Sequence, residues 1–124
     1  MSGPETHSHT VPGGRGVWLT ERLWAAARDL PVRQVSLASI AEFEQNCWFR
    51  PHRPPTCRAV ADHAKRIFDA DLNYPIILSA DGRLMDGGHR LGKAYLLGQT
   101  HIAAVQFEVD PDPDWLQAGE PTVA

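Results

Sequence analysis

The spacing of apolar residues predicts two helices in the first two thirds of the chain. The first follows Thr20, a suitable cap, and ends before Pro31, which cannot continue a helix. The second begins after a cap at Thr56 and runs to about Ala70. Its apolar positions share one face, which we expect to be buried: Cys57, Val60, Ala64, Ile67 and Phe68.

Between these two helices the apolar runs are short. Val32–Leu37 is a strand candidate, and Ser39–Phe43 can form a brief helical turn. Cys47–Pro55 contains three prolines and has no regular period, so we expect it to be a loop.

After residue 73 the pattern becomes typical of strands. The apolar run of residues 74–79 has the length of a strand, and Asp81-Gly82 after it is the commonest type of hairpin dipeptide. Arg83–Met85 returns as a second strand. Alternating apolar and polar residues over Ala103–Val109 predict a further, half-buried strand.

A third helix is predicted between these last strands, over His89–Leu97, with Gly98 as its C-terminal cap. Three of its residues are expected to face inward: Leu91, Ala94 and Tyr95. A strand, a glycine-rich turn, a helix and a strand form a crossover connection. The strands around Leu84 and Val105 are therefore expected to run parallel.

The two ends of the chain lack this patterning. Residues 1–16 are rich in Gly, Pro, Ser and Thr and are expected to be a flexible arm. The folded domain is then residues 17–110. Residues 111–124 are expected to form a loose tail, in which Trp115 and Leu116 are large enough to dock back.

Composition excludes several classes of protein. The chain has 124 residues and a hydrophobic content of 43%, a balance typical of one globular domain. No apolar run approaches the length of a membrane span, and the N-terminus does not resemble a secretory signal. The two cysteines are far apart in the sequence, which indicates a reducing, cytoplasmic location. A net charge of −3 argues against a nucleic-acid partner, so an anion site requires local clustering of cations.

The segment that begins at Asp86 provides such a cluster. Gly87 and Gly88 allow a ligand to approach the main chain, and the amides that follow are the unsatisfied donors of a helix N-terminus, which attracts phosphate. His89, Arg90 and Lys93 add basic side chains where a helix normally prefers acidic ones. The alternative is that Asp86 caps the helix and that the glycines form an ordinary turn.

Tyr74–Phe107, with the motif Asp86-Gly-Gly-His-Arg90 and then Gly98, resembles the ParB N-terminal domain/sulfiredoxin superfamily. The resemblance implies an α/β domain with a small mixed sheet and about three helices. It also implies that the turn and helix tip hold the phosphates of a nucleotide, a role carried over to Gly87, Gly88, His89, Arg90 and, more loosely, Lys93. It does not distinguish ATP, ADP and CTP.

The motif departs from each branch of that superfamily. Sulfiredoxins have their reactive cysteine where Gly88 stands, which excludes sulfinic-acid repair by that thiol. The free serine kinase branch has a second histidine at the same position, and the arginine-rich ParB version is absent. With phosphate binding implied by the resemblance, the activity that we expect is phosphotransfer or nucleotide hydrolysis. A non-catalytic nucleotide sensor or adaptor is the alternative, and a nuclease is a weaker one.

Catalysis of that kind needs a carboxylate that takes a proton or holds Mg²⁺. Asp86 is the first candidate for both roles, and Glu42 and Glu44 are candidates for a second carboxylate. For the two glutamates the alternative is a solvated surface. We expect no zinc site, because the histidines lack ligand spacing.

The proline-rich loop before the second helix supplies the remaining candidates. Arg53 and Arg58 are expected to close over the phosphate tail of the ligand, and Trp48 or Phe49 to stack on a base. The alternative is a solvated basic loop with Trp48 in the core. In the adaptor hypothesis the same loop contacts a protein partner.

Overall fold

Three α-helices and seven strands alternate along residues 5–117, the part of the chain that the computed structural model describes. The helices are α1 (Thr20–Ala27), α2 (Cys57–Asp69) and α3 (Gly88–Leu96). The strands are β1 (Thr6–Val11), β2 (Gly14–Leu19), β3 (Arg33–Ser36), β4 (Ile76–Leu78), β5 (Leu84–Asp86), β6 (His101–Gln106) and β7 (Trp115–Gln117). Two short 3-10 turns follow β3, at Leu37–Ser39 and Ala41–Glu44. The prediction of an α/β domain with three helices is confirmed.

The larger sheet has the strand order β3-β6-β4-β5, and its parallel pair is β4 with β6. The hairpin at Asp81-Gly82 is present, with Gly82 at a φ of +86°, and it makes β5 antiparallel to β4. The strands around Leu84 and Val105 therefore run in opposite directions, and the prediction that they are parallel is wrong. Because the hairpin reverses the chain first, the crossover through α3 connects to the far side of β4.

The smaller sheet is antiparallel, with the order β1-β2-β7, and it uses residues predicted to be a flexible arm. Pro12-Gly13 forms the hairpin turn, with Gly13 at a φ of +90°. In the tail, Trp115 lies opposite Val17, in accord with the expected docking of this residue. Residues 1–4 and 118–124, at the outer edges of the predicted arm and tail, lie outside the described residues.

The core lies on both faces of β4, because successive strand residues point to opposite sides. Ile76 and Leu78 pack with Leu91 and Ala94 of α3 on one face. Ile77 packs on the other face with a second group: Trp18, Leu23, Ala27, Met85, Val105 and Phe107. The end of β4 and the start of α3 are thereby fixed relative to each other.

Helix α2 begins as predicted, since the Thr56 hydroxyl accepts a hydrogen bond from the Ala59 amide at 3.1 Å. Its predicted buried face is wrong, because Val60 and Phe68 are 48% and 78% exposed. Of the five predicted positions only Ile67 is half-buried, and the other half-buried residues of α2 are Ala59 and His63, so that the three lie four residues apart.

The contact of α2 with α3 explains this rotation. Ile67 packs over Gly92, where an added Cβ would lie 3.3 Å from two of its side-chain carbons. On α3, Leu91 and Ala94 face inward as predicted, whereas Tyr95 is exposed. None of the helices in residues 5–117 is long and apolar enough to cross a membrane.

Candidate functional site

A cleft of about 1830 Å³ opens in front of the N-terminus of α3. Its walls are β1, the loop of residues 45–54 and one side of α2. Seven arginines and five acidic residues line it, so the cleft is basic within a chain of net charge −3. The cleft is larger than typical small-ligand pockets, so its volume is sufficient for a ligand of nucleotide size.

The first turn of α3 presents main-chain donors to this cleft. Gly87 has a φ of +122°, and an added Cβ would lie 2.9 Å from the Ile76 Cβ and still closer to its Cγ2. Gly87 is the N-cap of α3 and has no side chain that could accept a hydrogen bond. Within the described residues, the amides of Gly88, His89 and Arg90 therefore have no hydrogen-bond acceptor. The alternative in which Asp86 caps the helix is thus wrong.

The Arg90 guanidinium is committed to the protein. Nη1 donates to the carbonyl oxygens of Tyr74 and Pro75 at 3.1 and 2.9 Å, and Nη2 donates to Asp86 Oδ2 at 2.6 Å. The side chain is only 15% exposed. Arg90 therefore ties α3 to the start of β4, and three of its five guanidinium N–H groups are used within the protein.

Lys93 is committed in the same way. Its Nζ donates to the carbonyls of Phe68 and Ala70 at 2.8 and 2.7 Å, which satisfies acceptors at the C-terminal end of α2. A cation is favourable at that end of a helix. Lys93 therefore joins α2 to α3, and the structure places it outside the cleft lining.

The three candidate carboxylates are not grouped. Asp86 Oδ2 accepts hydrogen bonds from both Arg90 and the Trp24 indole, the latter at 2.8 Å. Glu42 Oε1 accepts from the Leu84 amide at 3.2 Å, and Glu44 is exposed and does not line the cleft.

These contacts do not suit a resident Mg²⁺. Among residues 5–117 no three His, Cys, Asp or Glu side chains are placed to hold a metal ion. The Asp86 carboxylate is already neutralised by Arg90, and Glu42 is used to hold the first residue of β5.

The structure separates the two loop arginines. Arg53 pairs with Arg50 through main-chain hydrogen bonds and lines the cleft, and its side chain has no hydrogen bond or ion pair within the described part of the chain. Arg58 is exposed on the first turn of α2 and is not part of the lining. Arg28, at the end of α1, lines the cleft although no sequence signal pointed to it.

A flat imidazole pair lies beside the α3 tip. His63 Nδ1 and His89 Nε2 are 2.8 Å apart, and the two rings are tilted by only 9°. The Trp48 indole stacks on both rings, at 4.6 Å from His89 and 4.8 Å from His63. His63 was not among the residues predicted from the sequence. It lies four residues from both Ala59 and Ile67, a spacing that places the three on one side of a helix and could have pointed to His63.

Both rings of this pair are held neutral. Burial, followed by the charges of Arg66 and His63, lowers the pKa of His89 to about 4, and the Asp86 carboxylate opposes this only in part. Burial and Arg66 also lower the pKa of His63, against the weaker effect of Asp62. At pH 7 His89 is therefore a neutral hydrogen-bonding group and not a cation for phosphate.

A second imidazole pair lies in the wall formed by β1. His7 Nε2 and His9 Nδ1 are 2.9 Å apart, and both rings contact the buried Trp18. Burial, followed by the charges of His9, Arg15 and Arg83, lowers the pKa of His7 to about 4. The predicted arm thus contributes buried polar groups to the cleft.

Acidification is expected to weaken the fold through His7. The pKa of His7 is about 4 in the folded state, against an ordinary value of 6.5. The neutral ring therefore adds its full share to the free energy of unfolding above pH 6.5, and this share is lost as the pH falls toward 4. Since one pKa unit is worth about 1.4 kcal/mol, the loss should be on the order of 2–3 kcal/mol. Urea unfolding of the wild type and His7→Gln at pH 7, 6, 5 and 4 measures it. Parallel curves for the two proteins would contradict this role.

No protein-family model matches this chain, and neither does any curated protein or solved structure. The resemblance of residues 74–107 to the ParB/sulfiredoxin superfamily therefore stays a prediction from the residues. The function of the cleft is inferred from its side chains and main-chain donors.

Proposed function

We propose that this protein binds a phosphate-containing ligand, in particular a nucleotide, in the cleft before α3. The observation that carries the proposal is the set of three main-chain donors at Gly88, His89 and Arg90, which face the cleft without an acceptor in the described residues. The helix dipole adds positive potential at the same place. The proposal agrees with the role that the ParB/sulfiredoxin resemblance implies.

Of the two side chains assigned to the ligand here, Arg53 is also expected from the sequence, and Arg28 is added by its place in the cleft lining. Arg53 and Arg28 line the cleft and have no side-chain hydrogen bond among residues 5–117, so they can turn toward a phosphate tail. A charge-assisted hydrogen bond from either is worth more than one from a neutral group. Arg90 contributes its amide and supports the site through Asp86.

A binding module without catalysis is the second candidate. Its support is that the Asp86 and Glu42 carboxylates are both engaged in hydrogen bonds that hold the protein together. A nucleotide sensor or adaptor needs the phosphate donors and no free carboxylate.

Introducing a carboxylate at the helix tip is expected to abolish binding. In Gly88→Asp the new side chain accepts from the same amides and repels phosphate, whereas Gly88→Asn has nearly the same shape without the charge. An added Cβ at this position lies 3.3 Å from the Trp48 indole nitrogen, so both variants share that packing cost. Titration calorimetry with ATP, ADP, CTP and inorganic phosphate, with and without Mg²⁺, should show at least tenfold weaker binding for Gly88→Asp than for Gly88→Asn.

The two loop arginines provide a charge-matched control. Arg53→Ala and Arg58→Ala remove the same charge, but only Arg53 lines the cleft. We expect about tenfold weaker binding in Arg53→Ala and less than twofold in Arg58→Ala. Equal effects would mean that general charge, and not this cleft, attracts the ligand. A wild-type protein that binds none of the four probes would overturn the proposed function.

A further inference from the structure

The two rings of the His63–His89 pair lie edge to edge in one plane. Their centroids are 5.1 Å apart, the planes differ by 9°, and the nitrogens that face each other are 2.8 Å apart. One N–H therefore bridges the pair. The outer nitrogens, His89 Nδ1 and His63 Nε2, have no hydrogen-bond partner among the described residues.

Counting protons shows what such a pair can do. Two neutral imidazoles hold two ring protons, and one of them occupies the bridge. The other must lie on one outer nitrogen, which leaves the opposite outer nitrogen as an acceptor. When the acceptor takes a proton, the bridging proton can shift and the far nitrogen can release its own. The pair thus accepts a proton at one end and delivers one at the other.

The surroundings hold this arrangement in place. Trp48 lies against both rings at tilts of 8° and 12°, and Phe49 meets His63 edge-on at 5.4 Å. These contacts restrict rotation of the rings out of their common plane. Arg66 and Arg90 face the pair with positive charge and Asp62 and Asp86 with negative charge, and burial favours the neutral rings.

We propose that His63 and His89 form a proton-relay pair that serves hydrolysis of a phosphoester or phosphoanhydride bound at the α3 tip. This role rests on the proposed function, because the same tip must first bind the phosphate. The main-chain amides of Gly88 and His89 hold the phosphoryl group. His89 therefore supplies both a donor to the phosphoryl group and one ring of the pair. Water attacks phosphorus, its oxygen forms the new P–O bond, and its proton passes to the His89 end of the pair. The bond to the leaving oxygen breaks with its electron pair on that oxygen, and the His63 end releases a proton to it or to solvent.

The test compares histidine-to-glutamine variants, because glutamine forms hydrogen bonds but cannot exchange a proton in this range. Hydrolysis of p-nitrophenyl phosphate, ATP and CTP is followed with and without Mg²⁺, and binding is measured on the same samples. His63→Gln and His89→Gln should each lower the rate at least 100-fold, with binding changed less than threefold. The control His101→Gln, at an exposed position outside the cleft lining, should retain the wild-type rate.

The double variant and nuclear magnetic resonance distinguish a relay from a structural cluster. Residues that act as one unit are not additive, so the double variant should be no slower than the slower single variant. For the four ring nitrogens of His63 and His89, nitrogen-15 spectra at pH 7 should show two that carry a proton and two that do not. A scalar coupling across the hydrogen bond should connect His63 Nδ1 with His89 Nε2.

Several results would overturn the relay. These are unchanged hydrolysis in the single variants, additive losses in the double variant, a doubly protonated ring at pH 7, or a wild type that binds ATP or phosphate without hydrolysing any probe. The last of these would leave the proposed binding function intact. Absence of binding to every probe would instead remove both.

Discussion

Arg90→Ala is expected to lower the free energy of unfolding by about 3 kcal/mol. The substitution removes three hydrogen bonds at once, to the carbonyls of Tyr74 and Pro75 and to the Asp86 carboxylate. Hydrogen bonds to charged groups are worth about 1.5–3 kcal/mol each, although their losses overlap. The partly buried Asp86 carboxylate also loses its only ion-pair partner among residues 5–117. Urea unfolding at pH 7 measures the change.

Two controls identify the cause of this loss. Arg90→Lys keeps the charge but cannot reproduce the planar fork, so it should recover less than half of the stability. Arg58→Ala removes an exposed arginine and should change stability by less than about 0.5 kcal/mol. Phosphate affinity of the folded fraction should fall less than threefold in Arg90→Ala. Intact stability combined with lost binding would show instead that the guanidinium contacts the ligand.

Gly87→Ala is expected to be at least as damaging, with a loss of about 3 kcal/mol or more. Alanine at a φ of +122° is strained, and its Cβ would lie 2.9 Å from the Cβ of the fully buried Ile76. Neither residue can move freely, because Ile76 belongs to the central strand β4. The start of α3 would therefore shift or unfold, and the phosphate donors with it.

Two other glycines separate strain from steric overlap. Gly82 and Gly98 have φ values of +86° and +79°, and an added Cβ at either meets nothing within 4 Å. Gly82→Ala and Gly98→Ala should cost only about 1–2 kcal/mol each, the price of the backbone conformation alone. Thermal or urea unfolding of the three variants provides the comparison. Equal losses at the three positions would mean that Ile76 adjusts without cost.

Signals confined to a few neighbouring residues predicted much of the local structure, although the expected cap at Thr20 is wrong, since Thr20 is the first residue of α1 and Leu19 is its N-cap. The Thr56 cap, the Asp81-Gly82 hairpin and the Gly98 terminus each depend on one or two residues, and each is present. The helix that follows the glycine pair is present too, one residue earlier than predicted. These features need no knowledge of the rest of the fold.

Features that depend on distant residues were not predictable in the same way. The buried face of α2 is set by its contacts with Gly92 and His89, which lie on another helix, and of the apolar face predicted from the sequence only Ile67 takes part. The role of Arg90 depends on carbonyls about fifteen residues away. Sequence spacing identified Arg90 as a cation near the helix tip, but it could not show that Asp86, Tyr74 and Pro75 already surround it.

The β1 wall of the cleft belongs to a sheet that joins the two extremes of the described chain. Val17 of β2 lies opposite Trp115 of β7, nearly a hundred residues later. During synthesis, β1 and β2 can pair as a hairpin early, whereas β7 can join β2 only after α3 has been made. Because β7 does not line the cleft, this last strand completes the sheet behind the β1 wall and leaves the cleft lining unchanged.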